Sequence, residues 1–532
     1  MTTSLPGYVL LGLLVGLTLW SVVRPRPGAW WESRPLFAAL LGLTIIAAHA
    51  PVLNFNRELP NPDEAQLVAG ALTLRQHFAP WLNVDLSTAG PVSVLPLLVV
   101  PANFLGARWC AALCAACAVM GCWLALTCVR NQPSVRIAAL PVAAFFVFMQ
   151  SLELFQFSTE HVAIVFLAAA VWIWLAASAG GEHAPGPGPA GGLGGCLGAA
   201  VMAKLQSAPC VAWLAAAAGG LLLLDARIPW SRRLTIFSAL AAGCAGVPFG
   251  FVLLAAAQGV LPDMLHSYGL NNLQYVSSMD HGSPGYQPSL VWGLNYLLKP
   301  AGVVLLAGLA CIPVFTAAER RTVFVTVGLL ASAIVAVVLP GRGSGHYWFF
   351  VLGPVLLALG SVLGPAGRWL AVRPRWVLAG LVPLLLALPL AHRLTSSRDQ
   401  TLAGTLAALA SVRDAGEKLH ALARPGDTLT VWGWRPELHV YSGLPQGTRE
   451  AHTQWLIEPI PQRDYYRQRF LHDLDRTRVR FIADAVGPGS FAYTDRTKAG
   501  HEIFPALVDL LARDYDLIGE TDGVRLYARH AN

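Results

Sequence analysis

Charge is scarce in this chain. Only 13% of its 532 residues are Asp, Glu, Lys or Arg, about half the roughly 25% of a soluble globular chain. The deficit excludes a soluble enzyme, a disordered chain and a nucleic-acid binder of ordinary composition. Lysine is scarcer still, with four residues in all, Lys204, Lys299, Lys418 and Lys498. Cysteine is missing beyond position 311. The nine present are Cys110, Cys114, Cys117, Cys122, Cys128, Cys196, Cys210, Cys244 and Cys311, all in apolar segments. That distribution is neither a disulfide framework nor a paired CxxC set for zinc, and small apolar packing residues explain it. No basic residue precedes the first apolar run, and no small-x-small cleavage site precedes Arg24. The expectation there is an uncleaved membrane helix, not a signal peptide.

Apolar length is what the chain has in abundance. Hydrophobic residues make up 55% of it, and the mean hydropathy is +0.53. At about 20 apolar residues per crossing, the pattern predicts a polytopic α-helical membrane protein of about 12 transmembrane helices. They are expected near 5–23, 35–53, 107–129, 137–152, 162–179, 192–206, 208–224, 234–256, 300–316, 322–339, 347–364 and 376–392. The region 1–394 holds 12 acids and 20 Lys+Arg, whereas 395–532 holds 18 and 17. The net +7 therefore belongs to membrane loops and gives no support to a nucleic-acid partner.

The apolar stretch 91–105 decides the orientation. If it crosses, Arg130 and Arg136 fall opposite Arg24, Arg26 and Arg34. If it stays at the surface as a re-entrant or interfacial helix, those five share a side with Arg227, Arg232, Arg233, Arg320, Arg321, Arg368, Arg373 and Arg375. The second arrangement satisfies the positive-inside rule, and we adopt it. Both termini then lie outside the cytoplasm. Glu58, Asp63, Glu64, Asp85, Glu153, Glu160, Asp263 and Asp280 fall on the outer face. Acids gathered there suggest a working surface, although ordinary loop solvation accounts for the count equally well.

The domain reading follows. Residues 1–394 form the membrane region, with a first outer loop at 54–106 and a second at 257–299. Residues 395–532 form a small soluble α/β domain outside the membrane. Residues 180–195 (GGEHAPGPGPAGGLGG) read as a Gly/Pro linker, and SSMDHGSPGY in the second loop as a mobile lid. In the tail, Thr428–Trp434 and Arg480–Ala483 read as strands, Phe504–Arg513 as a helix, and Tyr515–Glu520 with Val524–Ala528 as a hairpin. The tail has no phosphate-binding glycine loop and no catalytic motif.

The chemistry is sought at Asn61-Pro62-Asp63-Glu64, the start of the first outer loop. Locally this is a good helix beginning, with Asn as cap, Pro at the first helical position and acids in the first turn. Its place directly after a membrane span also puts Asp63 at the bilayer surface. There it can meet a substrate whose lipid tail stays in the membrane. A helix follows at 65–78, then Pro80-Trp81, a Ser87–Pro91 turn, the apolar 91–105 stretch and Gly106-Ala107-Arg108.

This order resembles the C superfamily of glycosyltransferases, in particular the branch of protein O-mannosyltransferases and the lipid A aminoarabinose transferase. Weaker echoes are Ser158-Thr159-Glu160-His161, Ala203-Lys204 and His346-Tyr347. The resemblance implies an inverting transferase in a bacterial inner membrane with its soluble domain periplasmic. Its donor would be a sugar on polyprenyl phosphate, a membrane lipid, and its acceptor a glycan, lipid or protein. Asp63 would be the base. Glu64 and Glu160 would orient the acceptor or tune Asp63. The resemblance implies no certain cofactor and no nucleotide; a divalent metal is possible and would sit on Asp63 and Glu160. Lys204, Arg342 and His346 are the cations for the leaving phosphate, with His161 and Tyr347 as pocket residues. Each has a plainer alternative: Lys204 snorkels to the interface, Arg342 is a solvated loop residue, His346 and Tyr347 anchor at the interface, and His161 is a bystander. The chain departs from the pattern where relatives carry a lysine after the first loop helix; here Thr88 and Ala89 precede Gly90-Pro91. The span 5–23 is also additional. A transporter or flippase is the competing reading, but it should show inverted repeats and midplane charges, and neither is evident.

Overall fold

A computed structural model of the chain describes residues 5–24, 28, 30–54, 61–130, 134–149, 152–179, 185–277, 291, 293–341, 344–370, 376–395, 402–487, 490, 492–521 and 523–530. Two compact units emerge. The first comprises Met1–Phe55, Ala111–Phe251 and Leu273–Ser397, and the second Asn56–Cys110, Val252–Asn272 and Arg398–Asn532.

The first unit is a helical membrane bundle. Among the described residues, seven helices of the chain are long and apolar enough to cross a bilayer, and Arg34–Ala48, Val135–Phe148 and Lys299–Leu309 are shorter apolar helices. Several predicted spans coincide closely with helices, among them Leu5–Val23, Thr159–Ala179, Ala208–Leu224 and Trp376–Thr395. Large apolar side chains such as Leu13, Leu224, Phe249 and Leu306 point outward, as lipid-facing positions should. Inside, the Phe37 and Trp123 rings pack tilted at 4.8 Å and those of Phe146 and Phe349 at 6.0 Å.

One expectation fails here. The Gly/Pro linker is not a linker over its second half, because Pro187–Ala203 is a helix. Its glycines serve close packing. A Cβ on Gly194 would lie 2.2 Å from the Leu240 carbonyl oxygen, and one on Gly198 would lie 2.6 Å from that of Cys244. Two backbones approach that closely only where side chains are missing, which is the small-xxx-small device of membrane helices. Residues 180–184 and most of the SSMDHGSPGY segment lie outside the described residues.

The second unit gathers three pieces of sequence. From the first loop come the Pro62–Leu74 helix, a 3₁₀ helix at Pro91–Leu98 and the beginning of the Phe104–Val129 helix. Eight residues of 3₁₀ helix at about 2 Å each cannot cross a bilayer, so 91–98 does not span. From the tail comes a four-stranded sheet of β1 (Leu429–Trp432), β2 (Phe481–Asp484), β3 (Tyr515–Thr521) and β4 (Val524–Arg529), in the order β1-β2-β4-β3. β1 and β2 are parallel, and β4 runs antiparallel to β2 and β3. Strand alternation divides the core. Leu429, Val431, Phe481 and Ala483 pack with Val412, Leu419 and Leu438 on one face. Trp432 and Ile482 pack with Tyr466, Phe470 and Leu507 on the other.

Ionic side chains tie the pieces of this unit together. Arg469 of the tail reaches Asp85 and Glu450, each at 2.6 Å, and Asp263 at 3.2 Å. Arg449 reaches Asp473 at 2.8 Å and Asp263 at 3.1 Å. The Trp455 indole donates to Ser87 Oγ at 2.8 Å, and the Gln446 N–H to Thr73 Oγ1 at 2.9 Å.

Candidate active site

In the second unit the helix start forms as its sequence predicts. Asn61 Oδ1 accepts the Asp63 N–H at 2.8 Å, and Pro62 opens the helix. The two acids then diverge. Asp63 is exposed, whereas Glu64 is fully buried. Glu64 Oε2 accepts from Arg108 Nε at 3.3 Å and Nη2 at 3.2 Å, and Arg108 is itself fully buried. Just before Arg108, Gly106 lets the chain fold back on Pro101, because a Cβ there would stand 2.1 Å from the Pro101 carbonyl oxygen. Glu64 thus anchors the start of the Phe104–Val129 helix through Arg108. The pair lies one residue away from Asp63.

A second carboxyl in this unit escaped the sequence reading. The Glu437–Ser442 helix of the tail packs on Pro62–Leu74. Burial pushes the Glu437 carboxyl up to about 7; Arg435 works against the rise and Asp63 adds to it. Asp63 therefore shares its electrostatic surroundings with a carboxyl that holds its proton near neutrality. Nearby, His452 stacks on Trp434 at 4.6 Å and meets Gln66 Oε1 at 3.1 Å. Burial lowers its pKa to about 4, which keeps the ring neutral. Nothing local in Pro436-Glu437 announces this neighbourhood, because the contact spans most of the chain.

In the first unit the Ser158–His161 and Ala203-Lys204 motifs meet. Glu160 is fully buried in the first turn of Thr159–Ala179, with Oε1 3.5 Å from Lys204 Nζ. Thr159 Oγ1 donates to Glu160 Oε2 at 3.1 Å. Lys204 occupies an extended break between the Pro187–Ala203 helix and the Leu205–Ser207 turn that leads into the next span. The break frees its side chain from either helix face. His346 lies within electrostatic range of Glu160. It sits in the Gly345–Trp348 3₁₀ turn, its ring edge-on to Tyr347 at 4.8 Å, and Tyr347 is buried. That turn is anchored by Glu153, whose Oε2 accepts the Gly345 N–H at 2.5 Å. The sequence reading noted Glu153 as an outer acid and missed this role.

His161 is built into the core. Its Nδ1 accepts the Ser158 N–H at 3.1 Å, and its ring lies 4.2 Å from that of Phe349. Arg342 lies outside the described residues.

Among the described residues one group has metal-ligand spacing, Asp484, His501 and Glu502 in the tail. Arg496 pairs with Asp484, and Arg525 reaches Glu502 at 2.7 Å. Two guanidiniums on the carboxylates make this an ion-pair network, and it is poorly suited to a cation.

No family model matches the chain, and no curated protein does either. Solved structures do. ArnT from Cupriavidus metallidurans bound to undecaprenyl phosphate aligns over 94% of this chain and 98% of its own, at 12% identity and a TM-score of 0.54. Apo ArnT from the same organism aligns over 92% and 98%, at 13% identity and a TM-score of 0.49. An oligosaccharyltransferase from Archaeoglobus fulgidus, also in the apo form, covers 84% and 69%, at 12% identity and a TM-score of 0.42. Among the described residues seven helices are long and apolar enough to cross a membrane, and the chain is a multi-pass membrane protein that shares its fold with the ArnT structure bound to undecaprenyl phosphate.

Proposed function

We propose that the protein is an inverting glycosyltransferase that moves a sugar from a polyprenyl-phosphate carrier to an acceptor at the outer membrane face. The observation that carries the reading is Glu160 with Lys204. A fully buried carboxylate beside an ammonium, at the broken end of a membrane helix, is costly to maintain and marks a functional site by default. It occurs in a fold shared with a protein seen bound to undecaprenyl phosphate.

The chemistry follows from the groups. Asp63, exposed at a helix start, is the base that takes the proton from the acceptor hydroxyl or amine. The acceptor attacks the anomeric carbon, the bond from that carbon to the phosphate oxygen breaks, and the configuration inverts. Lys204 offers positive charge to the leaving phosphate, and His346, within electrostatic range of the same Glu160, is a second partner for it. Glu160 holds Lys204 in place, and Glu64 fixes the segment that carries Asp63.

The test is reconstitution. The purified chain in liposomes, given polyprenyl-phosphate sugars and candidate acceptors, should release free polyprenyl phosphate in step with product. Lys204→Met should lose most of that release. Carriers that stay fully glycosylated across donors, or a Lys204→Met variant as active as wild type, would contradict the proposal.

A further inference from the structure

A cavity of about 500 Å³ opens among six membrane helices at the end away from Glu160 and Lys204. It touches Trp174 on the helix that begins at Thr159, and Ala190 near the beginning of the helix that ends at Ala203. At 1.5 Å per residue, Trp174 lies about 20 Å along the helix from Glu160. Its size is that of a ligand site. Its lining is divided by polarity. Leu193, Leu222 and Leu240 are buried apolar walls. Arg130, Arg227 and Arg321 also line it, and none of its described lining residues is acidic. Arg130 is 12% exposed, whereas Arg227 and Arg321 are 52% and 49% exposed and stand at the mouth. The nearest carboxylates are already engaged. Asp225 binds Arg227 through both oxygens at 2.7 and 2.6 Å and stands 3.9 Å from Arg321. Glu319 lies 3.6 Å from Arg130 and closes the capping box at the start of Ala317–Val338. Among the described residues, three guanidiniums against two acids leave a surplus of positive charge.

We propose that this cavity binds an anionic phospholipid of the inner leaflet, with the phosphate on Arg227 and Arg321 and the upper part of an acyl chain against the leucines. The arginine-rich loops of the sequence fall at this same end, where the positive-inside rule places the cytoplasm and its anionic lipids. A cavity between membrane helices with a cationic mouth and an apolar depth matches an amphiphile better than a soluble anion. The occupant is separate from any substrate at the Glu160 end.

The experiment uses the full chain purified in neutral detergent, with phosphatidylglycerol and phosphatidylcholine as probes and retained lipid counted by native mass spectrometry. Two variants test the two halves of the site. Arg321→Gln removes a mouth cation and leaves the Asp225–Arg227 pair in place. Ala218→Trp fills the cavity. Wild type should retain phosphatidylglycerol over phosphatidylcholine, and Arg321→Gln should weaken retention about fivefold, the worth of one arginine at an anionic surface. Ala218→Trp should abolish the preference, and if that variant does not fold, Arg321→Gln alone decides. Excess inorganic phosphate should leave the lipid bound. Equal retention in wild type and Arg321→Gln, or complete displacement by inorganic phosphate, would overturn the proposal.

Discussion

Asp63 and Glu64 are adjacent in the chain and opposite in environment, one exposed and the other sealed against Arg108. The helix phase and the acidic pair were legible in the sequence. Which acid would be buried was not, because Arg108 lies 44 residues away in the chain. Removing one partner of a fully buried ion pair leaves an unsatisfied charge, at about 3–5 kcal/mol. Arg108→Met should therefore lower the thermal midpoint sharply, and Glu64→Leu with Arg108→Met should recover much of the loss. A double mutant no better than the single would show that the pair is not the unit of stability. Glu437 makes a second case. Its folded pKa of about 7 exceeds that of an ordinary carboxyl, so the fold favours the protonated form. That stability is fully present below about pH 4.5 and is lost as pH rises through about 7, by about 3 kcal/mol in all. Glu437→Gln cannot ionise. Its melting temperature should gain on wild type between pH 4.5 and 7 and hold that gain above. A constant difference across the range would contradict the assignment.

At the scale of elements, the spans were readable because a bilayer demands long apolar helices and confines charge to their ends. The same composition misled at 187–195. Glycine and proline suit a loop in water, yet glycine in a membrane helix admits a neighbouring backbone. Proline at the first turn of Pro187–Ala203 is likewise a helix opener. The helix carries its own control. Gly194 faces the Leu240 carbonyl, whereas a Cβ on Gly195 would meet nothing within 4 Å. Gly194→Val should destabilise the bundle by about 1–3 kcal/mol or more through overpacking. Gly195→Ala should be neutral or mildly stabilising. Equal thermal shifts for the two variants would refute close packing as the reason for the glycines. In the tail, the strands and the hairpin were legible from alternation and from the turn before Val524. The Glu437–Ser442 helix was not, being six residues long without a strong pattern.

At the scale of the whole molecule, the second unit is assembled from three separated stretches, and no local pattern foretells that. Its junction is Arg469, which faces Asp85, Asp263 and Glu450 together. Arg469→Met would leave three carboxylates crowded without their shared cation. It should cost about 3–5 kcal/mol and speed proteolysis of this unit, with Arg469→Lys intermediate. Unchanged proteolysis would mean that the segments hold together through their apolar contacts alone. This assembly ties the helix that carries Asp63 to the tail, and the proposed transfer needs its base held in place. The most direct measurement is the rate and anomeric configuration of transfer by wild type and Asp63→Asn, side by side, from one polyprenyl-phosphate sugar. The account predicts an inverted product from wild type and a loss of about 10²–10⁴-fold in the variant, with carrier binding retained. Transfer by Asp63→Asn at the wild-type rate, or retention of configuration, would contradict it.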